Sequence, residues 1–85
     1  MAKVVIYSSN YCPYCIRAKM LLEAKSVDYQ EFTVDGEPAL RAEMQEKSGR
    51  TSVPQIWIGD RHVGGFDDLW ALDAKGELDE LLNPT

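Results

Sequence analysis

The clustering of apolar residues along the chain predicts four strands. The run Val4-Val5-Ile6-Tyr7 is rich in β-branched residues and does not alternate with polar ones, which is typical of a strand buried on both faces. Residues 27–34 and 53–58 form the next two apolar segments. Residues 61–63 follow the turn Gly59-Asp60, so the last two strands are expected to form a hairpin.

The first predicted helix follows the first strand. Pro13 fits the first helical position, because its missing N–H would be unpaired there, and good helix formers continue to about Lys25. Helical spacing predicts a buried stripe on this helix. Its members would be Ile16, Met20, Leu21 and Ala24.

Two further helices complete the pattern. One spans about 38–48 and ends at Gly49, a plausible C-cap, and the other is capped by Asp67 or Asp68 and continues to a short amphipathic turn at 78–82. The predicted order is β-α-β-α-β-β-α. A first β-α-β unit that is parallel and right-handed, followed by an antiparallel hairpin, gives a small layered α/β fold.

Composition limits the size and class of the protein. Hydrophobic residues make up 45% and charged residues 27% of the 85 positions, values that argue against disorder. A chain of this length can form one core, so we expect residues 1–85 to be a single domain. No apolar run approaches the ~20 residues that span a bilayer, and no signal-peptide pattern is present. The sequence therefore predicts a cytoplasmic protein that has no membrane partner.

The charge of the chain is unevenly distributed. The net charge is −5, and the segment from Phe66 onward carries all of it, with six acidic residues against one lysine. No basic stripe is available for nucleic acid, so a nucleic-acid partner is not expected. The acidic segment is interpreted as a solvated face that favours solubility, and a role in the choice of partner is the alternative.

The two cysteines, Cys12 and Cys15, indicate redox chemistry. A closed structural zinc site needs four ligands, whereas one chain offers these two cysteines and His62, so such a site would require a dimer. One Cys-x-x-Cys pair cannot replace a core as a disulfide scaffold does. In a cytosolic α/β chain the pair is typical of a redox motif, and no metal is expected.

The position of the pair explains its predicted reactivity. If Pro13 is the first helical residue, Cys12 is the N-cap, and its sulfur lies beside unpaired N–H groups at the positive end of the helix dipole, which favours the thiolate. Cys15 lies on the same helix face at ~5–6 Å, within the ~4.4–6.8 Å Cα separation of a disulfide. We expect Cys12 to attack and a shielded Cys15 to resolve the mixed disulfide.

Three motifs together resemble the dithiol glutaredoxins, especially the short bacterial ones, over essentially the whole chain. They are Tyr11-Cys12-Pro13-Tyr14-Cys15, Ser52-Val53-Pro54 and Gly64-Gly65-Phe66-Asp67-Asp68-Leu69. The resemblance implies the thioredoxin fold, with a central four-stranded mixed sheet and helices on both faces. It also implies a glutathione-dependent thiol–disulfide oxidoreductase that reduces glutathione mixed disulfides and protein disulfides.

The resemblance assigns a glutathione groove. The bond before Pro54 would be cis, the backbone of Val53 would pair with the cysteine portion of glutathione, and Asp67 would face the γ-glutamyl ammonium. The full set implied is Tyr14, Arg41, Ser52, Val53, Pro54, Gly65, Phe66 and Asp67, with Arg41 toward the glycine carboxylate. Two positions depart from the family pattern: Ser9 replaces a common lysine, and Phe66 stands where some relatives have a third cysteine.

The resemblance further implies a monomer that acts on glutathionylated or disulfide-bonded proteins, with ribonucleotide reductase among the candidates. Two alternatives stay open. One is a glutaredoxin-like redoxin reduced by thioredoxin reductase, which tends to lack the Gly-Gly-x-Asp-Asp segment. The other is an iron–sulfur carrier whose cluster is bridged by Cys12 and glutathione from two chains, and Pro13 counts against it.

Overall fold

The structure is a computed structural model that describes residues 2–83, and its elements follow the predicted order. The strands are β1 (Val4–Ser8), β2 (Tyr29–Thr33), β3 (Gln55–Ile58) and β4 (Arg61–Gly64). The helices are α1 (Pro13–Ala24), α2 (Pro38–Ser48), α3 (Phe66–Ala74) and α4 (Leu78–Leu82), where α4 is the predicted last turn. Within residues 2–83, no helix is both long enough and apolar enough to cross a membrane.

The four strands form one mixed sheet in the order β2-β1-β3-β4. Strand β1 runs parallel to β2, with Val4 opposite Tyr29, and antiparallel to β3, with Val5 opposite Trp57. Strands β3 and β4 form the antiparallel hairpin. Because β1 has a neighbour on each side and helices above and below, four of its five residues are buried, as the apolar run predicts.

Alternate residues of the central strands face two separate cores, which confirms that helices cover both faces of the sheet. The larger core joins β1 and β3 to α1, α3 and α4, and its buried members include Val4, Ile6, Leu22, Ile56, Ile58, Leu69, Leu78 and Leu82. The smaller core lies under α2 and contains Tyr7, Val34 and Met44. The ring of Trp57 packs edge-on against that of Tyr7, with the ring centroids 5.4 Å apart.

The predicted buried stripe of α1 is wrong. Ile16 and Met20 are 49% and 62% exposed, Ala24 is also exposed, and only Leu21 packs partly against the larger core. The buried residues of α1 are Cys15, Ala18 and Leu22. The predicted residues and the observed buried residues both have helical spacing. Hydropathy alone favours the predicted residues for burial, because most of them have larger apolar side chains. The small side chain of Ala18 instead turns toward the core, where it leaves room for close packing.

Helix α3 begins earlier than its predicted acidic caps. Its N-cap is Gly65 and its first residue is Phe66, so Asp67 and Asp68 lie inside the first turn. Asp68 still caps the helix, because its Oδ2 accepts a hydrogen bond from the Gly65 N–H at 3.0 Å. This contact fixes the approach of β4 to α3, where one wall of the candidate site lies.

Candidate active site

Cys12 is the N-cap of α1, as predicted. Its backbone is extended (φ −112°, ψ 111°), Pro13 occupies the first helical position, and the Cys12 Sγ accepts a hydrogen bond from the Cys15 N–H at 3.3 Å. The sulfur therefore lies at the positive end of the helix, where an anion is stabilised. A half-buried nucleophile at such a position is accessible to a second sulfur atom.

Cys15 differs sharply from Cys12. Its side chain is fully buried, and both thiols are free. Burial is the main cause that raises the pKa of the Cys15 thiol to about 12, and its hydrogen bond with Cys12 adds to the effect. Cys15 therefore keeps its proton at neutral pH, and its side chain is shielded whereas that of Cys12 is half-buried.

The loop between β1 and α1 is hydrogen-bonded to Asp35, in the segment that follows β2. The Ser9 Oγ donates to Asp35 Oδ1 at 2.7 Å, and the Asn10 N–H donates to Asp35 Oδ2 at 2.7 Å. These two hydrogen bonds hold the pKa of the Asp35 carboxyl below its usual range, Ser9 having the larger effect. Asp35 thus carries its negative charge while it holds the segment that leads into Cys12.

A second loop approaches Cys12 from the far side. The Cys12 thiol donates to the Val53 carbonyl oxygen, with the sulfur and oxygen 3.6 Å apart. The Val53–Pro54 peptide bond is cis, which confirms that expectation. The buried Gln55 side chain donates to the Ser52 carbonyl at 3.0 Å and holds the start of this loop against β3.

A cleft of about 220 Å³ lies between this loop and the start of α3. Its lining consists of Tyr14, Arg50, Ser52, Val53, Pro54, Gly65, Phe66, Asp67 and Asp68. The structure therefore brings together every residue implied for the glutathione groove except Arg41. The ring centroids of Tyr14 and Phe66 are 6.5 Å apart, so two aromatic rings flank one end of the cleft.

Arg41 lies elsewhere, on α2. Its charge is close enough to Asp35 to contribute to the lowered pKa of that carboxyl. Arg41 thus lies near the carboxylate that binds the loop preceding Cys12, and it is not among the residues that line the cleft.

Sequence reasoning missed Arg50 and the second role of Asp68. The Arg50 Nη1 lies 3.2 Å from Asp68 Oδ2, the same oxygen that accepts the Gly65 N–H. These contacts lower the pKa of the Asp68 carboxyl, the Gly65 N–H having the larger effect. The available signal for Arg50 was its position just before the Ser52-Val53-Pro54 motif, but nothing local indicated its pairing with Asp68.

The cleft combines opposite charges with apolar walls. Arg50 supplies a cation, Asp67 an exposed carboxylate, and Val53 and Phe66 apolar surface. Such a lining suits a small peptide that carries both a carboxylate and an ammonium group. Over the described range 2–83, no three His, Cys, Asp or Glu side chains come together in a way that could hold a metal ion.

Comparison with known proteins agrees with this geometry. Residues 4–63 match the family model described as Glutaredoxin. A glutaredoxin from Pseudomonas aeruginosa is 61% identical over 83 residues, covering 98% of this chain and 99% of the relative. Glutaredoxin 3 from Escherichia coli K12 is 58% identical over 82 residues, covering 96% of this chain and 99% of the relative.

A solved structure is similar as well. The crystal structure of a buckwheat glutaredoxin–glutathione complex superposes with a TM-score of 0.88 at 32% sequence identity, covering 95% of this chain and 76% of that one. The family match, the near full-length relatives and the shared fold agree with the Cys-x-x-Cys pair at the start of α1. The chain therefore belongs to the glutaredoxin family of thiol–disulfide oxidoreductases.

Proposed function

We propose that the protein reduces glutathione mixed disulfides and protein disulfides with glutathione as the electron donor. The observation that carries this proposal is the position of the Cys12 sulfur. The sulfur accepts a hydrogen bond from the Cys15 N–H in the first turn of α1, and the thiol donates one to the carbonyl of Val53, which lines the charged cleft. A disulfide attacked by Cys12 would thus leave its glutathione portion beside that cleft.

The reaction with a glutathionylated protein needs Cys12 alone. The Cys12 thiolate attacks the glutathione sulfur, a Cys12–glutathione bond forms, and the protein thiolate leaves and takes up a proton. The thiolate of a second glutathione then attacks the same glutathione sulfur. Glutathione disulfide leaves and Cys12 returns as a thiolate. In the net reaction, the mixed disulfide and one free glutathione give the protein thiol and glutathione disulfide.

Protein disulfides need Cys15 in addition. Cys12 attacks one substrate sulfur to form a mixed disulfide, and the other substrate sulfur leaves as a thiolate. Cys15 then loses its proton, attacks the Cys12 sulfur and releases the reduced substrate, which leaves a Cys12–Cys15 bridge for glutathione to reduce. The high pKa of Cys15 supports this order, because a protonated thiol does not compete with Cys12 for the first attack.

Glutathione is proposed to occupy the cleft with its γ-glutamyl end at α3. Asp67 would pair with the ammonium, N–H groups at the start of α3 would meet the carboxylate, and the Val53 backbone would pair with the cysteine portion. The other groove residues, Tyr14, Ser52, Pro54, Gly65 and Phe66, would form its walls. The glycine end would extend past Cys12 toward Arg41. The buckwheat relative, whose structure is a complex with glutathione, supports this assignment.

We propose the same cellular setting as the sequence predicts. The protein would act as a single-domain monomer in the cytoplasm. Its substrates would be glutathionylated or disulfide-bonded proteins, of which ribonucleotide reductase is the first to test.

The decisive experiment measures turnover of a glutathionylated peptide with glutathione, glutathione reductase and NADPH. We expect activity in the wild type, none in Cys12→Ser, and retained activity in Cys15→Ser. Turnover with thioredoxin reductase but none with glutathione would overturn the proposal in favour of a redoxin. Purification as a dimer with iron–sulfur absorbance, and without turnover, would favour the cluster carrier.

A second experiment tests the cleft itself. Asp67→Asn removes the carboxylate proposed to meet the glutathione ammonium, so the KM for glutathione should rise about tenfold while kcat changes little. Asp60→Asn is the matched control, because Asp60 is an exposed aspartate in the β3–β4 turn, outside the cleft. Equal KM values in both variants would show that Asp67 does not bind glutathione.

A further inference from the structure

We propose that Asp35 and Ser9 are positioning residues for the Cys12 nucleophile. Together they form a brace, defined here as the Asp35 carboxylate and the Ser9 hydroxyl, that holds the loop of residues 9–11 and thereby the N-cap geometry of Cys12. The inference requires only that Cys12 performs thiol–disulfide exchange. It does not depend on which thiol supplies the electrons.

The brace provides hydrogen-bond acceptors for consecutive backbone N–H groups of the loop. Asp35 accepts the Ser9 hydroxyl and the Asn10 N–H, each at 2.7 Å. The Ser9 hydroxyl oxygen in turn accepts the Tyr11 N–H at 3.2 Å, and the Ser9 carbonyl accepts the Cys12 N–H at 3.4 Å. Three successive backbone N–H groups, those of residues 10–12, therefore have Asp35 or Ser9 as their hydrogen-bond partner, which defines one conformation for the segment that leads into α1.

The brace is anchored in the sheet. Asp35 follows Val34, which is buried and donates its N–H to the Ser8 carbonyl at 2.8 Å, so the parallel pairing of β1 and β2 extends to the residue before Asp35. Ser9 is itself only 9% exposed. A carboxylate fixed at the end of one strand thus holds the loop that leaves the neighbouring strand, and this loop ends at Cys12.

The brace also gives a function to Ser9, which stands where many glutaredoxins have lysine. A hydroxyl can donate to Asp35 and accept from Tyr11 at the same time, whereas an ammonium group can only donate. In this chain the position contributes a relay of hydrogen bonds. The relay needs no charge at residue 9.

A competing account makes an opposite prediction. If Asp35 acted only through its negative charge, neutralising it would favour a thiolate at Cys12 and speed its reactions. If Asp35 acts by holding the loop, neutralising it loosens the N-cap, and Cys12 becomes less reactive. Ser9→Ala breaks the relay without any change of charge, so it separates the two accounts.

The test measures the rate at which iodoacetamide alkylates Cys12 in the reduced protein between pH 4 and 9, with mass spectrometry to locate the label. The variants are Asp35→Asn, Ser9→Ala, Ser9→Thr and the double variant. The control is Glu31→Gln. Glu31 lies in β2 and, like Asp35, accepts a serine hydroxyl, from Ser8. Its other hydrogen-bond partner is Lys19, outside the 9–11 loop.

We expect Asp35→Asn and Ser9→Ala each to slow alkylation at pH 7 by about tenfold, since a misplacement of 1 Å can cost a reaction about 100-fold. The pH of half-maximal alkylation should rise in both. Ser9→Thr, which keeps the hydroxyl, should behave as wild type. The double variant should be slowed by less than the product of the two single effects, because both single variants remove the Ser9–Asp35 hydrogen bond.

Two results would overturn the inference. Faster alkylation in Asp35→Asn with no change in Ser9→Ala would show a through-space charge effect. Unchanged alkylation in both, with the same loss of thermal stability as Glu31→Gln, would show a merely structural contact. If Asp35→Asn does not fold, as judged by circular dichroism, the comparison of Ser9→Ala with Ser9→Thr decides the question alone.

Discussion

The Cys12 sulfur lies 3.6 Å from the carbonyl oxygen of Val53, a residue 41 positions further along the chain. This contact joins the start of α1 to the loop before β3. The Cys15 N–H holds the same sulfur from the helix side at 3.3 Å. Two elements from distant parts of the sequence therefore fix the nucleophile at the edge of the cleft.

The burial of Cys15 leads to a test of its reactivity. In Cys12→Ser, we expect iodoacetamide at pH 8 to alkylate the folded protein more than about 100-fold more slowly than the unfolded chain. Burial, which is the main cause of the raised pKa of Cys15, is retained in this variant and also shields the sulfur from the reagent. Mass spectrometry of timed samples measures both rates.

The same variant in urea provides the control. Unfolding exposes Cys15 and restores an ordinary thiol, so labelling should become rapid. Equal rates in the folded and unfolded protein would contradict the structure, since they would mean that Cys15 is accessible and able to ionise near neutral pH.

Asp68 should make the free energy of unfolding fall as the pH falls through the acidic range. Its pKa is lowered in the folded protein, so its contribution is complete at neutral pH and is lost as the pH falls from about 4, the unfolded value, through the lower folded value. Asp68→Asn should therefore reduce the free energy of unfolding by about 0.5 kcal/mol at pH 7, with a smaller difference from wild type near pH 3. The effect is modest because the Asp68 side chain is 47% exposed and solvent screens its charge.

Urea unfolding at the two pH values measures this effect. Asp67→Asn is the control, because Asp67 is an exposed aspartate in the same turn of α3, and of the two only Asp68 accepts the Gly65 N–H. A difference between wild type and Asp68→Asn that stays constant from pH 7 to pH 3 would show that the ionised carboxylate does not cap α3.

Gly64 is expected to tolerate no side chain. Its φ is +116°, and an added Cβ would overlap the Asp68 carboxylate and lie 3.1 Å from Arg50 Nη1. Gly64→Ala should reduce the free energy of unfolding by about 2 kcal/mol, through backbone strain at this φ and displacement of the Asp68 carboxylate from Gly65 and Arg50. Urea denaturation with tryptophan fluorescence measures the change.

Gly36 offers the matched comparison for Gly64. Its φ is also positive, +67°, but an added Cβ would meet no atom within 4 Å. Gly36→Ala should therefore cost only about 1 kcal/mol, the strain of the left-handed conformation. Similar losses for the two variants would show that the space around Gly64 does not restrict it.

Local signals explain why much of the fold could be predicted from the sequence. The apolar run of β1, Pro13 at the start of α1 and Gly49 after α2 each act through their own backbone or nearest neighbours. The same is true of Cys12, whose place at the N-cap follows from Pro13. These features need no knowledge of distant contacts, and the structure confirms them.

The features that could not be predicted depend on distant pairs. Arg50 meets Asp68 and Ser9 meets Asp35 only after the sheet has formed, and neither pair has a characteristic sequence spacing. The phase of α1 is a related case. Periodicity detects a helix, but which stripe turns inward is decided by the fit of side chains against the sheet and α3.

The phase of α1 can be checked by paired truncations. Leu22 is fully buried in the larger core, whereas Met20, two residues earlier, is 62% exposed. Leu22→Ala should lower the free energy of unfolding by about 2–5 kcal/mol, because it removes buried apolar contacts and leaves a cavity. Met20→Ala should change it by less than about 0.5 kcal/mol, as is usual for surface substitutions. Urea denaturation measures the free energy of unfolding of both variants. A larger loss of stability in Met20→Ala than in Leu22→Ala would mean that the buried face of α1 is the one that hydropathy predicts.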